Sequence, residues 1–253
     1  IDAVGHECMA ELCAEAGVEI PAVLTEGGDF YRAEGRTLEV RHAGGGYHQV
    51  SLPEGVMRFH MTRRTLTPIT ANNSASLFAL EGDLRLVEFH SKANALTDES
   101  MEIVAAAAAD HGKGIIIHND AQHFSAGVDL NAFRAYIEAE NWDGIDGFLD
   151  RFQKAVCALK YTPVPVVGAP SGLAAGGGYE VLAHCDRLVV HTNSVMGLVE
   201  AGVGVVPGGG GIKDTFFRWH AAKDSWDEAA WQTWMNIGYG ATGSSPQLAA
   251  RMM

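Results

Sequence analysis

Two hydrophobic patterns, one typical of buried strands and one typical of helices, alternate along the second half of the chain. Short apolar runs at 114–119 and 164–167 predict buried strands. Helical patterns are predicted at 129–139 and 142–159, and another runs to Ala109 behind Thr97, which suits an N-cap. Because strand and helix patterns alternate from residue 114 onward, the sequence predicts an α/β fold with a mainly parallel sheet and surrounding helices.

The first 70 residues show a different pattern of apolar and polar positions. Apolar side chains in residues 2–16 recur at helical spacing, and Gly17 would end that helix. Residues 30–52 hold two β-like runs, TLEVR and YHQVSL, separated by Gly44-Gly45-Gly46, which predicts a hairpin. Residues 61–73 are interpreted as a linker.

The change in the pattern of apolar and polar residues predicts a domain boundary near residue 70. We expect a small N-terminal α+β part at 1–70 and the main α/β domain at 71–253. The chain starts with Ile1 rather than Met, and the final residues, SPQLAARMM, read as the beginning of a helix. These ends predict a piece of a longer chain, truncated at the C-terminus of the main domain, with apolar surface exposed near residues 240–253.

The central stretch, 163–211, organises the main domain. It reads as a strand at 164–167, a glycine-rich turn at 171–178, a helix at 179–185 and a strand at 186–191. This layout exposes main-chain N–H groups at a helix N-terminus, where they can bind an anion or an oxygen that becomes one during a reaction.

Two glycine turns and two carboxylates stand out within this layout. One turn is FSAGVDL at 124–130, the other is GGGYE at 176–180, and ligands usually sit at the ends of parallel strands where such turns fall. One N–H from each turn is predicted to point at one carbonyl oxygen. Glu180 and Glu200 follow, and the apolar neighbours of Glu200 indicate a raised pKa. The alternative is that the glycines only permit tight turns, Glu180 caps its helix and Glu200 lies on the surface.

Other motifs were weighed and set aside. GVGVVPGGGG at 202–211 lacks the ending of a phosphate loop and is interpreted as a tight turn before a helix at 211–219. GAPSG at 168–172 places its serine one position too late for a serine hydrolase. His118 and His123 have no partners at metal-ligand spacing, so no metal site is expected. His184 is interpreted as a core residue.

Composition argues against nucleic-acid-binding and membrane-spanning proteins. The formal net charge of −13, without a run of Lys or Arg, argues against a nucleic-acid surface. The four cysteines form no CxxC pair and are interpreted as reduced thiols of an intracellular, cytoplasmic protein. No apolar run is long enough to span a membrane.

Three blocks of sequence together resemble the crotonase (enoyl-CoA hydratase/isomerase) superfamily over about residues 74–219. FHSKANALT is similar to the family's first motif, and HFSAGVDL is similar to its first oxyanion block. PVPVVGAPSGLAAGGGYEVLAHCDRLV and GLVEAGVGVVPGGGG are similar to the second oxyanion block and the catalytic region. The resemblance implies a crotonase-like spiral of ββα units.

The resemblance also implies roles for single residues. The N–H groups of Val128 and Gly177 would form an oxyanion hole for the thioester oxygen of a CoA substrate. Glu180 and Glu200 would be the catalytic pair, one acting on water and the other on the α-carbon. Val199 departs from the proline that many members have before the second glutamate. The implied CoA-binding residues are Lys92, Ala93, Ala95, Ala126 and Asp129.

The N-terminal part is similar to the tail of the helical domain of a 3-hydroxyacyl-CoA dehydrogenase, through DAVG, AEAGVEIPAVL and GGDFYR. Bifunctional β-oxidation enzymes fuse such a dehydrogenase to a crotonase module. The resemblance therefore implies NAD for a longer parent protein. It implies no cofactor for this chain, because the nucleotide-binding half lies outside it.

We therefore expect an enoyl-CoA hydratase that adds water reversibly to 2-enoyl-CoA thioesters in fatty-acid β-oxidation. The implied partner is an acyl-CoA, with no nucleic acid and no membrane span, and the family pattern implies a homo-oligomer, either trimer or dimer. Two alternatives remain open. An enoyl-CoA isomerase would need only one of the glutamates, and a non-catalytic acyl-CoA-binding or scaffolding module would need neither.

Overall fold

The computed structural model describes residues 4–25, 28–34, 37–42, 45–56 and 58–252. The chain divides into two compact units at Thr67 and Pro68. In the first unit, three strands form an antiparallel sheet in the order β1-β2-β3. The elements of this unit are α1 His6–Glu15, α2 Ala22–Thr25, β1 Tyr31–Glu34, β2 Thr37–Arg41, β3 Tyr47–Gln49 and α3 Phe59–Thr62.

Two elements predicted in the first unit are confirmed. Helix α1 forms within the predicted segment and is followed by Gly17 at φ 65°, a conformation that glycine adopts without strain. The hairpin joins β2 to β3, and Gly44, the first glycine of its predicted turn, lies outside the described residues. Strand β1 was not predicted; it pairs with β2, and Arg32 donates to Glu39 across the pair at 2.6 Å.

The predicted linker at 61–73 is wrong in part. Helix α3 reaches into it, and Arg63–Thr65 forms a 3-10 turn directly afterwards. At its other end, strand β4 (Thr70–Ala71) pairs antiparallel with β5 (Ala75–Leu80). Short elements of this kind lack enough residues to show a hydrophobic period, which is why the pattern missed them.

The second unit contains a six-stranded sheet in the order β10-β8-β7-β6-β5-β4. Strands β6, β7, β8 and β10 run parallel, whereas β4 and β5 are antiparallel neighbours at the edge. Strands β5 and β6 form an antiparallel hairpin around Asp83. The strands of this sheet not yet given are β6 Leu84–Phe89, β7 Gly114–Ile117, β8 Val166–Gly168 and β10 Arg187–Leu188.

A smaller sheet runs in the order β12-β11-β9, from β9 Leu173–Ala175, β11 Val195–Gly197 and β12 Thr242–Gly243. Strands β8 and β10 belong to the large sheet, while β9 and β11, which follow each of them, belong to the small one. This repetition is the predicted ββα spiral. It also corrects one prediction, because the segment 171–178 is not one glycine turn but contains β9, a strand of the second sheet.

Seven helices are described in the second unit. The predicted helices in the first half of this unit are confirmed, including Thr97 as the N-cap of α4, where it forms a capping box with Ser100. Helix α8 runs further than predicted, and α9 was not predicted at all. The bounds are α4 Asp98–Ala109, α5 Leu130–Glu138, α6 Trp142–Lys160, α7 Gly177–Ala183, α8 Gly211–Lys223, α9 Trp226–Gly238 and α10 Pro246–Ala249.

One hydrophobic core holds the second unit together. It forms where the large sheet meets α4, α6 and α7, and each large side chain buried there contributes about 1.5–3 kcal/mol. Representative members that are at most 1% exposed are Val87, Phe89, Val104, Ile117, Phe152, Leu159 and Leu182. Among the described residues, no helix is long and apolar enough to cross a membrane.

Candidate active site

The loop after β7 lies directly against the small sheet. Ser125 forms a parallel bridge with Ala174 of β9, and Val128 forms one with Leu96. Between them Gly127 has φ +96°, and a Cβ atom there would come within 3.0 Å of the Ala175 carbonyl oxygen. Only glycine fits this approach without strain, so the sequence FSAGVDL brings the loop against the strand that precedes α7.

The main-chain amides of Val128 and Gly177 lie at this junction. A Cβ atom on Gly177 would stand 2.8 Å from Val128 Cγ2, and one on Gly127 would stand 3.7 Å from the Gly177 nitrogen. Gly177 is the first residue of α7, where an N–H has no acceptor within the helix. Within the described part of the chain, neither amide donates a hydrogen bond. The two turns are thus brought together with two N–H groups available for an oxygen atom.

Glu180 lies in the first turn of α7 and is 2% exposed. Its Oε1 accepts hydrogen bonds from the amides of Gly209 and Gly211, both at 2.8 Å. Burial raises the pKa of Glu180 to about 7, against the effect of the two N–H groups, and the negative charges of Glu200 and Asp214 add to the rise. The carboxyl group is therefore fixed in place and titrates near neutral pH.

Glu200 begins the 3-10 turn Glu200–Val203 that follows β11. Its carboxylate lies over the entrance to α7, since a Cβ atom on Gly176 would come within 3.1 Å of its Oε1. Both carboxylate oxygens are buried and accept no hydrogen bond of good geometry. Burial raises the pKa of Glu200, and the nearby amides of Glu200 and Val199 offset only part of that rise. The predicted surface position for Glu200, the alternative interpretation, is wrong.

The segment assigned to CoA binding forms the other wall of the Val128 loop. Ala93 and Asn94 both have positive φ, 55° and 50°, and the Ala126 amide donates to the Ala93 carbonyl at 3.2 Å. The side chains of Lys92, Ala93 and Ala126 are exposed and that of Ala95 is half-buried. The structure thus brings the two implied CoA stretches side by side.

Asp129 has a clear local role. Its side chain caps α5 by accepting from the amide of Asn131 at 2.9 Å. It also lines a cavity of about 230 Å³ with Leu96, Tyr136 and Phe148. Neither Glu180 nor Glu200 lines this cavity. In the described residues, no group of three or more His, Cys, Asp or Glu side chains could hold a metal ion.

Sequence reasoning missed the groups that hold Glu180. The turn at Gly209 and Gly211 was interpreted only as a tight turn before a helix, yet its amides bind the Glu180 carboxylate. The available signal was the helix pattern that follows, because a glycine-rich turn at a helix N-terminus presents free N–H groups. The buried side chains of His184 and Asp214 meet at 2.8 Å, and this contact gave no signal in the sequence.

The sequence profile of the enoyl-CoA hydratase/isomerase family matches residues 84–219, more than half of the chain. The chain belongs to this family. The matched region contains both glycine turns and both glutamates, so the resemblance to the crotonase superfamily is confirmed.

Similar proteins agree with that membership. A probable 3-hydroxyacyl-CoA dehydrogenase of Bacillus subtilis is 31% identical over 99% of this chain and 33% of its own length. The fatty acid oxidation complex subunit alpha of Idiomarina loihiensis is 32% identical over 40% of this chain and 14% of its own length. The chain therefore spans a third or less of the length of these relatives.

Solved structures show the same fold. An enoyl-CoA hydratase from Polaromonas sp. JS666 superposes with a TM-score of 0.60 at 21% identity, covering 70% of this chain and 67% of that protein. The fold of the second unit is therefore crotonase-like, as predicted, and the Bacillus relative's alignment also includes the first unit.

Proposed function

We propose that this chain catalyses the reversible addition of water to 2-enoyl-CoA thioesters. The observation that carries the proposal is the placement of two buried carboxyl groups, differently bonded, beside two main-chain amides without acceptors. Addition of water across a conjugated double bond requires one group to take a proton from water and another to give a proton to carbon. It also requires stabilisation of the oxygen that gains charge.

The amides of Val128 and Gly177 are assigned to the thioester oxygen. As water adds to the β-carbon, electron density moves through the double bond to this oxygen and forms an enolate. Two N–H donors fixed by the loop at Gly127 and by the start of α7 stabilise that charge without rearranging. Removing one donor of such a pair typically costs about 10²–10³ in rate.

The two glutamates are assigned by their hydrogen bonds. Glu180 accepts two N–H groups, which favour its ionised form, so it takes the proton from water. Glu200 has no hydrogen-bond partner for either oxygen, which favours its protonated form, so it gives its proton to the α-carbon. The product is the 3-hydroxyacyl thioester, with Glu180 protonated and Glu200 ionised, and the reverse reaction uses the same groups in the opposite sense.

The rest of the assignment follows the same resemblance. Lys92, Ala93, Ala95, Ala126 and Asp129 would contact the CoA portion of the substrate. The reaction itself calls for no cofactor, and a longer parent protein with dehydrogenase activity would use NAD. Participation in fatty-acid β-oxidation, a cytoplasmic location and a trimeric or dimeric assembly belong to this proposal.

The test compares Glu180→Gln and Glu200→Gln with the wild-type chain on 2-enoyl-CoA and 3-enoyl-CoA substrates. Loss of the conjugated thioester absorbance measures hydration. We expect each substitution to lower kcat by about 10²–10⁴, because each removes one of the two proton-transfer groups. Acyl-CoA binding should survive in both variants, because the two amides remain.

The outcomes separate the competing functions. An isomerase would shift 3-enoyl-CoA and lose activity with only one of the two substitutions. A binding module would hold acyl-CoA in all three proteins and convert none. Wild-type hydration rates in both variants would refute the proposed roles of the glutamates.

A further inference from the structure

A buried contact between His184 and Asp214 lies close to Glu180. The His184 side chain is fully buried and the Asp214 side chain is 4% exposed, and His184 Nε2 lies 2.8 Å from Asp214 Oδ2. Lys160 of α6 reaches Asp214 Oδ1 at 2.5 Å, and Lys213 lies 3.5 Å from the same oxygen. A buried charge is costly unless it is paired, so this cluster has a structural or functional reason.

The contacts form a closed ring around the Glu180 carboxylate. On α7, His184 Nδ1 donates to the Glu180 carbonyl at 2.7 Å, since that carbonyl can only accept. On α8, the Asp214 amide donates to the Gly210 carbonyl at 3.0 Å. Gly210 lies against the imidazole, because a Cβ atom there would come within 3.0 Å of His184 Cε1. The amides on either side of Gly210 are the two that bind Glu180.

We propose that His184 and Asp214 are positioning residues that hold the Gly209–Gly211 turn against the carboxylate of Glu180. The pair joins the helix that carries the carboxylate to the helix whose first turn carries its hydrogen-bond donors. This inference rests on the proposed hydratase function, because it assigns a task to residues that do not touch the substrate.

The arrangement has an electrostatic consequence as well. Asp214 is ionised, since the contacts with His184 and Lys160 hold the pKa of Asp214 well below its usual range despite burial. The charged groups that face Glu180 are Glu200 and Asp214, and both raise the pKa of Glu180. The groups that face Asp214 are the imidazole of His184 and the charged side chains of Lys160 and Lys213. Removal of the Asp214 charge should therefore lower the pKa of Glu180.

The experiment measures kcat, KM and the pH profile of kcat/KM for Asp214→Asn with crotonyl-CoA. We expect kcat to fall about tenfold or more, with little change in KM, because a small misplacement of a reacting group costs rate rather than binding. One apparent pKa of the profile should move down, because a negative charge near Glu180 is removed. A purely structural role would lower stability and leave that pKa unchanged.

A matched control is Asp110→Asn. It also removes one carboxylate from an ion pair in the second unit, with Arg85 at 2.8 Å, but in an exposed position. It should leave the rate and the pH profile as in the wild type. Thermal melts of both variants show whether the folded protein is being compared.

Two substitutions of His184 test its two contacts in the ring separately. Asn can replace the Nδ1 donor to the Glu180 carbonyl, and Gln can replace the Nε2 contact with Asp214. If the whole ring positions the turn, both His184→Asn and His184→Gln should lower kcat, because each keeps only one of the two contacts. These variants keep the proposal testable if Asp214→Asn does not fold.

Folded Asp214 and His184 variants with wild-type kcat and pH profile would overturn the proposal. A wild-type chain without hydratase activity would instead refute the proposed function. In that case the pKa of Glu180, followed by NMR in the wild type and Asp214→Asn, still decides whether the pair acts on this carboxyl group.

Discussion

The turns around Glu180 and Glu200 place the same side chain in two different environments. Glu180 is almost completely buried, and two main-chain amides hold one of its oxygens. Glu200 is half-buried, and its oxygens have no hydrogen-bond partner. Burial raises the pKa of both. The two groups differ in burial and in hydrogen bonding, and the two amides that hold Glu180 fix its orientation and favour its ionised form. Under the proposed roles, this main-chain contact is what suits Glu180 to be the base.

Among changes that leave both carboxyl groups in place, the largest effect is expected from Gly209→Ala. A Cβ atom at this position would lie 2.3 Å from Phe152 Cε1 and 2.7 Å from Glu180 Oε2, so the ring or the carboxylate has to move. We expect hydratase kcat to fall by about 10², as small misplacements of reacting groups do, and stability to fall by about 1–3 kcal/mol. Steady-state kinetics and a thermal melt measure both.

The control lies in the turn of the other glutamate. A Cβ atom on Gly202 meets no atom within 4 Å, so Gly202→Ala should change stability by less than about 0.5 kcal/mol and leave kcat as it is. Equal losses in the two variants would show that the tight approach at Gly209 does not position Glu180.

The next prediction concerns Glu180→Gln, which should be less active but more stable than the wild type at high pH. Because the pKa of Glu180 is raised from 4.5 to about 7, the folded state binds its proton more tightly than the unfolded chain. The resulting stability is present below pH 4.5 and is lost as the pH rises through about 7. Glu180→Gln has no charge to bury, so above pH 7 it should be more stable by up to roughly 3 kcal/mol.

Thermal melts at pH 5 and pH 8 measure this difference. Glu200→Gln is the comparison, and its gain at pH 8 should be smaller because Glu200 is less buried. A Glu180→Gln variant that is less stable than the wild type at pH 8 would mean that the two amides outweigh the cost of burial.

The smallest effect tests the charge coupling between the two turns. Glu200→Gln removes the negative charge that an ionised Glu200 places near Glu180, so the pKa of Glu180 should fall. NMR of carbon-13-labelled glutamate carboxyls follows the titration directly. Glu102→Gln, an exposed change on α4, should leave it in place. An unchanged titration in Glu200→Gln would show that the carboxyl groups act independently.

The sequence predicted those elements whose hydrophobic positions repeat with a clear period. Strand β7 and the helices α4 to α6 each have enough residues to show one, and they are confirmed. Strand β9 has three residues within a glycine-rich segment and was taken for part of a turn. The second sheet was therefore missed, although it sets the position of both oxyanion turns.

The candidate site divides in the same way. Glu180 and Glu200 were found because carboxylates near glycine turns are a chemical signal, and the structure brings both to the start of α7. Their different hydrogen bonding could not be predicted, because Gly209 and Gly211 lie 29 and 31 positions beyond Glu180. Pairing at such separation depends on how α7 and α8 pack. The role of Val128 and Gly177 stays a prediction.

The main-chain origin of the Val128 and Gly177 donors has a consequence for how such a domain can change over generations. Any substitution of Val128 other than proline keeps its N–H group, and a side chain at Gly177 would keep the N–H group there but press against Val128, whereas a single exchange removes either carboxyl group. Under the proposed roles, the ability to hold a thioester oxygen therefore tolerates more substitutions than the ability to move protons does. A descendant of this domain could therefore acquire a different reaction by replacing its acids while it keeps the same kind of substrate.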